Sequence, residues 1–160
     1  MYQVLPQLLD KQSLKQLDLL IQQSSWESGR GSAGDQAILV KNNLQLQKSQ
    51  ASFQLIHEIL LAALQASEAF LALTLAHKIY PPTINRYSPE HPEYGAHYDN
   101  SVRLRSDGQR VRADLSCTVF LSDPSEYEGG ELIIHEQSAR HAIRLEAGSA
   151  LIYPADCLHQ

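Results

Sequence analysis

Between Arg112 and Leu121 the chain alternates its character residue by residue. Leu115, Cys117, Val119 and Leu121 share one parity, and Asp114, Ser116, Thr118 and Phe120 share the other. A period of two belongs to an extended strand, whose successive side chains leave opposite faces. One greasy face and one mixed polar-aromatic face predict a sheet packed on helices, with a pocket on its other side. The first half of the chain supplies the helices. Ser13 reads as the cap of a helix running to about Gln23, with Leu14, Leu17, Leu20 and Ile21 as its apolar stripe. A longer helical pattern runs from about Ser52 to Ala76 and carries Phe53, Ile56, Leu60, Leu64 and Phe70. His57, Glu58, Gln65 and Glu68 interrupt that stretch at helical spacing, which favours a core-facing helix over a membrane span. The Gly- and Ser-rich residues 24–36 predict a loop around Trp26, and Val40-Lys41-Asn42-Asn43 a short strand or turn.

Beyond Ile79 strands dominate. They are expected over Ile84–Tyr87, Gly95–Asp99, Glu131–His135, Ala139–Leu145 and Ser149–Tyr153, with turns at Gly129-Gly130 and Ala147-Gly148. Short strands at this spacing point to an antiparallel sandwich or barrel of jelly-roll type. With 160 residues and 43% hydrophobic content the chain suffices for one domain. A net charge of -5 argues against a general nucleic-acid binder. The start of the chain lacks the basic and apolar runs of a secretory signal, and Cys117 and Cys157 are too few for a disulfide scaffold. The expectation is a soluble cytoplasmic protein, with no membrane partner and its oligomeric state open.

The chemistry centres on His97-Tyr98-Asp99. On a strand His97 and Asp99 project to one side, and His159 offers a second imidazole from a distant part of the chain. Two imidazoles and one carboxylate make the facial triad of non-haem Fe(II) oxygenases, which leaves other metal positions open. A three-residue pattern recurs by chance, so the surrounding motifs carry the weight. The remaining histidines have structural readings: His57 and His77 on the helical surface, His91 in a solvated loop, His135 and His141 as hydrogen-bonded strand residues. Cys117 reads as a small core hydrophobe. The loop 100–110, with Arg103, Arg105 and Arg110, reads as a solvated surface or as a lid over the substrate.

An ordered series of segments resembles the bacterial PKHD-type hydroxylases. These are Val40-Lys41-Asn42-Asn43, Asn85-Arg86-Tyr87, Tyr94-Gly95-Ala96-His97-Tyr98-Asp99, Asp114-Leu115-Ser116, Phe120 to Pro124, Tyr127 to Leu132, and Tyr153-Pro154 through Leu158-His159. Members of that family are Fe(II)- and 2-oxoglutarate-dependent dioxygenases related to prolyl and lysyl hydroxylases, and the likeness runs along the whole chain. It implies an α+β fold: a double-stranded β-helix (jelly roll) over about residues 79–160, with N-terminal helices, about 1–78, packed on its major sheet. It assigns Fe(2+) to His97, Asp99 and His159. Tyr87 matches the family's tyrosine on the strand before the metal pair and reads either as a 2-oxoglutarate contact or as a packing residue. Ser116 and Thr118, on the mixed strand face, read either as further cosubstrate contacts or as sheet packing. Phe120 stands where related prolyl hydroxylases use a tyrosine, which removes one hydrogen bond.

The implied reaction consumes O₂ and 2-oxoglutarate, releases succinate and CO₂, and hydroxylates a C–H bond of a small-molecule or peptidyl substrate. L-ascorbate is implied as a reductant. Family members continue past the distal histidine and, about ten residues on, carry an Arg that grips the cosubstrate carboxylate. The sequence here stops at Gln160, so a member shortened before its last strand is expected. The rival reading is a non-catalytic, metal-binding jelly-roll module.

Overall fold

The computed structural model describes residues 2–32, 37–105 and 107–160; parts of two expected loops, 33–36 and 106, lie outside them. Three helices are described: α1 (Lys11–Gln22), α2 (Ala51–Ala66) and α3 (Glu68–Thr74). Strands in the first half are β1 (Gln3–Leu5), β2 (Trp26–Ser28), β3 (Lys41–Asn42) and β4 (Leu44–Leu46). Next come β5 (Asn85–Arg86), β6 (Glu93–Tyr94), β7 (Val102–Leu104) and β8 (Arg110–Arg112). The last four are β9 (Leu115–Val119), β10 (Leu132–Glu136), β11 (Ala139–Ile143) and β12 (Ala150–Pro154).

The helix ends follow local capping chemistry. Asp10, rather than Ser13, caps α1: its carboxylate accepts the Ser13 backbone N–H at 2.7 Å. A carboxylate placed three residues earlier is the stronger acceptor, and Ser13 becomes part of the first turn. The single helix expected over 52–76 is two. Ser67 leaves the helical region at ψ 103° and its Oγ accepts from the Phe70 N–H at 3.1 Å, so α2 and α3 meet at 76°. Among the described residues no single helix is long and apolar enough to cross a membrane. The apolar residues Ile56, Leu60, Leu64 and Phe70 of the bent pair are buried in the core.

Three layers result. β12 runs between β1 and β9, antiparallel to both. Its Ala150 and Ile152 pack with Leu5, Leu64 and Phe70 on the helical side. Leu151 and Tyr153 point the other way and pack with Phe120, just after β9, and with Ile134 and Ile143 of the β10–β11 layer. A strand covered on both faces has no polar alternation, and Ala150 to Tyr153 are all buried. A second helix-side cluster joins Leu9 and Leu17 to Leu46, Ile56, Leu60 and Ile84.

The predicted faces of β9 hold in part. Val119 and Leu121 pack toward the helices, whereas Leu115 and Cys117 are exposed. The expected core role of Cys117 is therefore corrected: the helices cover only the later half of this strand. Gly148 marks a forced approach. Its φ is +89°, it accepts the Leu9 N–H at 3.0 Å, and a Cβ there would sit 2.7 Å from the Leu9 carbonyl oxygen.

Candidate metal centre

A backbone rung positions the two imidazoles. His97 and His159 exchange both main-chain hydrogen bonds, at 2.9 and 3.0 Å, as an isolated antiparallel pair. On its far side the terminal segment pairs with β10: Ile133 and Gln160 exchange bonds at 2.7 and 3.0 Å, and the His135 N–H donates to Leu158 O. Residues 158–160 thus lie between the His97 segment and β10, which brings a chain-distant histidine beside the His-x-Asp pair. Alternation does the rest. His97 is 8% exposed, while the intervening Tyr98 is 60% exposed.

Each ring is fixed by its own neighbourhood. His97 Nδ1 donates to the Gly95 carbonyl at 2.8 Å, and His159 Nδ1 donates to the Cys157 carbonyl at 2.9 Å. A carbonyl oxygen can only accept, so both rings carry the proton on Nδ1 and keep a lone pair on Nε2. Those Nε2 atoms each lie 3.9 Å from an Asp99 carboxylate oxygen. The three donor atoms all fall within 4.8 Å of one another. Donors sharing a first-row divalent ion, each about 2 Å from it, lie roughly 3–4 Å apart. The set fits such an ion after a small inward adjustment, and two neutral imidazoles with one carboxylate are the donors that Fe(II) accepts.

Surrounding groups hold the set in place. Ser116 Oγ donates to Asp99 Oδ2 at 2.5 Å. Tyr94 stacks on His97 with ring centroids 3.6 Å apart and 15° between planes, and Tyr153 meets His159 edge-on at 5.0 Å. Burial, reinforced by the neighbouring His159, keeps the His97 pKa below its ordinary value, although the Gly95 bond opposes this. His97 is therefore neutral near pH 7, as a ligand must be. Burial pushes the Tyr94 hydroxyl up to about 12 and raises that of Tyr153, so both remain protonated donors.

Basic groups lie close by. Arg103 Nη2 is 3.9 Å from Asp99 Oδ1, and its guanidinium lies 5.5 Å from the Tyr80 ring centroid. Lys41 is 4% exposed, with Nζ 4.5 Å from the Tyr94 ring centroid; burial first, then Arg103, lower its pKa to about 8. Of the stretch expected as a loop over 100–110, residues 102–104 and 110–112 are paired as a β7–β8 hairpin. It brings Arg103 to the site; Arg112 instead pairs with Asp114 at 2.8 Å.

The expected cosubstrate contacts separate. Ser116 faces the site and is engaged with Asp99. Thr118 shares a 3.3 Å hydrogen bond with the Tyr153 hydroxyl. Tyr87 makes no hydrogen bond to the three ligands, but its hydroxyl is near enough to influence those of Tyr94 and Tyr153, and burial raises its pKa. Phe120 is buried between the two strand layers. The other histidines are engaged elsewhere. His57 Nε2 donates to the Pro82 carbonyl at 2.5 Å, His91 Nδ1 is 3.0 Å from Asn42 Oδ1, and His135 Nε2 is 3.2 Å from Gln160 Oε1. His141 lies 3.5 Å from Glu136, and His77 is exposed.

Sequence reasoning did not assign roles to Tyr94, Tyr153 or Lys41. All three fall inside the ordered motif segments, which was the only sign available.

Comparison with known proteins agrees with this geometry. Residues 82–160 match the family model of the 2OG-Fe(II) oxygenase superfamily. A PKHD-type hydroxylase of Verminephrobacter eiseniae is 44% identical over 158 residues, covering 98% of this chain and 70% of that protein. Another, from Nitrosomonas europaea, is 46% identical over 142 residues, covering 88% and 63%. A third, from Polaromonas sp., is 45% identical over 157 residues, covering 98% and 69%. The chain thus spans 63–70% of the length of these relatives. Among solved structures, a prolyl-4-hydroxylase of Pseudomonas putida shares the fold with a TM-score of 0.56 at 13% identity, over 99% of this chain and 83% of that one. Converging ligands on a matching fold, with close relatives along nearly the whole sequence, lead to one assignment: the chain belongs to the PKHD-type hydroxylases of the 2OG-Fe(II) oxygenase superfamily.

Proposed function

We propose that this chain carries the catalytic site of an Fe(II)- and 2-oxoglutarate-dependent dioxygenase that hydroxylates a C–H bond of its substrate. The observation that carries the reading is the convergence of His97 Nε2, His159 Nε2 and an Asp99 oxygen within 4.8 Å, with both Nδ1 protons committed to backbone carbonyls. When bound, iron and 2-oxoglutarate supply the oxidising chemistry: the oxo-acid is decarboxylated to succinate and CO₂ as O₂ is consumed and the substrate gains a hydroxyl.

The chain's own residues prepare that chemistry. The His97–His159 rung fixes the spacing of two ligands through main-chain bonds. Ser116 orients the Asp99 carboxylate by donating to its second oxygen. Thr118, Tyr153 and Tyr87 provide hydroxyls on the wall beside the ligands, where they would orient 2-oxoglutarate. Tyr94 covers one face of His97 and shields it from water. In this reading residues 1–160 form one domain, a jelly-roll core over about 79–160 supported by the helices before it, and L-ascorbate is the reductant by family likeness.

The test is anaerobic loading with Fe(II), then addition of 2-oxoglutarate and O₂, with succinate measured. Succinate from the native chain and none from D99A supports the proposal. Stoichiometric iron binding without succinate would favour the metal-binding, non-catalytic module; absence of iron binding would overturn both readings.

A further inference from the structure

Lys41 is a buried cation that the metal centre leaves unexplained. An ammonium group is costly to bury unless its charge is matched, because water is lost from three N–H donors at once. Here Nζ donates to Ser32 Oγ at 3.0 Å and lies above the Tyr94 ring. Among the described residues it forms no ion pair with a carboxylate, and one hydroxyl leaves two donors without a protein acceptor. The ring face returns part of the lost hydration, but it cannot accept a hydrogen bond of ordinary strength.

Its nearest strong influences sharpen the imbalance. Arg103 is a second cation whose field reaches Lys41, and Asp99 is the carboxylate felt by both. Asp99 is also the anionic ligand of the metal centre. One carboxylate cannot balance two cations even without metal. Once a divalent ion takes its charge, neither Lys41 nor Arg103 has a carboxylate left to balance it among the described residues. Each is backed by an aromatic ring, Lys41 by Tyr94 and Arg103 by Tyr80. A planar two-oxygen anion matches the fork of Arg103 better than a tetrahedral one does. A guanidinium fork also pairs with a carboxylate in plane.

We infer that Lys41 and Arg103 form an anion subsite beside the metal ligands, and that it takes a carboxylate supplied by the substrate or by the cosubstrate. The chemical meaning of the subsite rests on the function proposed above. Its existence does not, because the two cations are present without metal. The subsite explains why a lysine is kept 4% exposed on the short strand β3.

The experiment uses the full chain labelled with ¹⁵N-lysine, without metal, at constant ionic strength. The Lys41 ammonium resonance is followed during titration with acetate, acetamide and inorganic phosphate. Acetate is expected to shift it saturably, acetamide to leave it unmoved, and phosphate to bind more weakly than acetate. R103A should weaken acetate binding about tenfold, the usual scale for one charge-assisted hydrogen bond. K41R should retain binding and K41M abolish it, the latter read from the residual ligand-side acetate signal. Arg103 keeps 32% of its side chain exposed, so R103A tests the idea even if K41M does not fold. An unmoved resonance with acetate, native affinity in R103A, or tighter binding of phosphate would overturn the subsite.

A second arm identifies the source of the carboxylate. Repeating the titration with Mn(II) and 2-oxoglutarate present assigns the subsite to the cosubstrate if acetate is excluded. Undiminished acetate binding assigns it to the substrate. Failure of Mn(II) to bind while acetate still binds would count against the metal reading alone.

Discussion

Removing one hydroxyl, in S116A, should weaken metal binding without unfolding the protein. Ser116 sits on β9 opposite Tyr153 of β12, and its Oγ donates to Asp99 Oδ2 at 2.5 Å. Hydrogen bonds to charged groups contribute about 1.5–3 kcal/mol. Asp99 keeps 20% of its side chain exposed, so water recovers part of the loss and the lower end applies. About 1.5 kcal/mol corresponds to roughly a tenfold rise in the metal dissociation constant. That agrees with the roughly 10–100-fold effect typical when a metal ligand loses its hydrogen-bonded partner. The assay is Mn(II) titration followed by the EPR signal of the free ion, with the urea midpoint measured in parallel. S116T, which keeps a hydroxyl, should stay within threefold of the native value. If S116A binds Mn(II) within twofold of native while D99A does not bind it at all, the orienting role of Ser116 is wrong.

Other consequences are open to direct measurement. G148A should lower stability by about 1–3 kcal/mol, since alanine at φ +89° is strained and its Cβ meets the Leu9 carbonyl; an unchanged urea midpoint would contradict this. L151A removes a fully buried side chain from a strand covered on both faces and should cost about 3 kcal/mol by chemical denaturation, a loss under 1 kcal/mol arguing against the three-layer packing. Burial holds the His57 pKa below 6.5, so protonation is harder in the folded chain than in the unfolded one. Its stabilising contribution is complete above pH 6.5 and declines as pH falls through the lower folded value. The stability of native protein should accordingly drop more steeply than that of H57F between pH 7 and 5, and parallel profiles would refute the assignment.

Much of this arrangement was written in local pattern. The parity of Ser116 and Thr118 on β9 placed both on the face that Asp99 and Tyr153 occupy, and the His-x-Asp spacing placed two candidate ligands on one side. What local pattern could not supply was contact between distant segments. The His97–His159 rung depends on where the chain returns, and a period of two cannot report that. Lys41 over Tyr94 is likewise a meeting of β3 with β6, which pair at Lys41 and Tyr94. Two errors had local causes. Ser67, followed by an acidic residue in the first turn of α3, carried a helix-start signal outweighed by the long apolar run around it. Cys117 shared the parity of core residues, but parity names a face and does not say whether anything covers it.

The anchoring of both imidazoles to main-chain carbonyls bears on how such a protein can diverge. Gly95 and Cys157 hold the rings through carbonyls that every amino acid possesses. A replacement at Cys157 leaves the tautomer intact wherever the backbone path survives, whereas a Cβ at Gly95 would meet Val40 Cβ at 2.9 Å. The anion subsite inferred at Arg103 and Lys41 is built instead from side chains, which substitution can remove. Substitution can therefore alter the cations around the site while the main-chain anchors of the two rings stay the same.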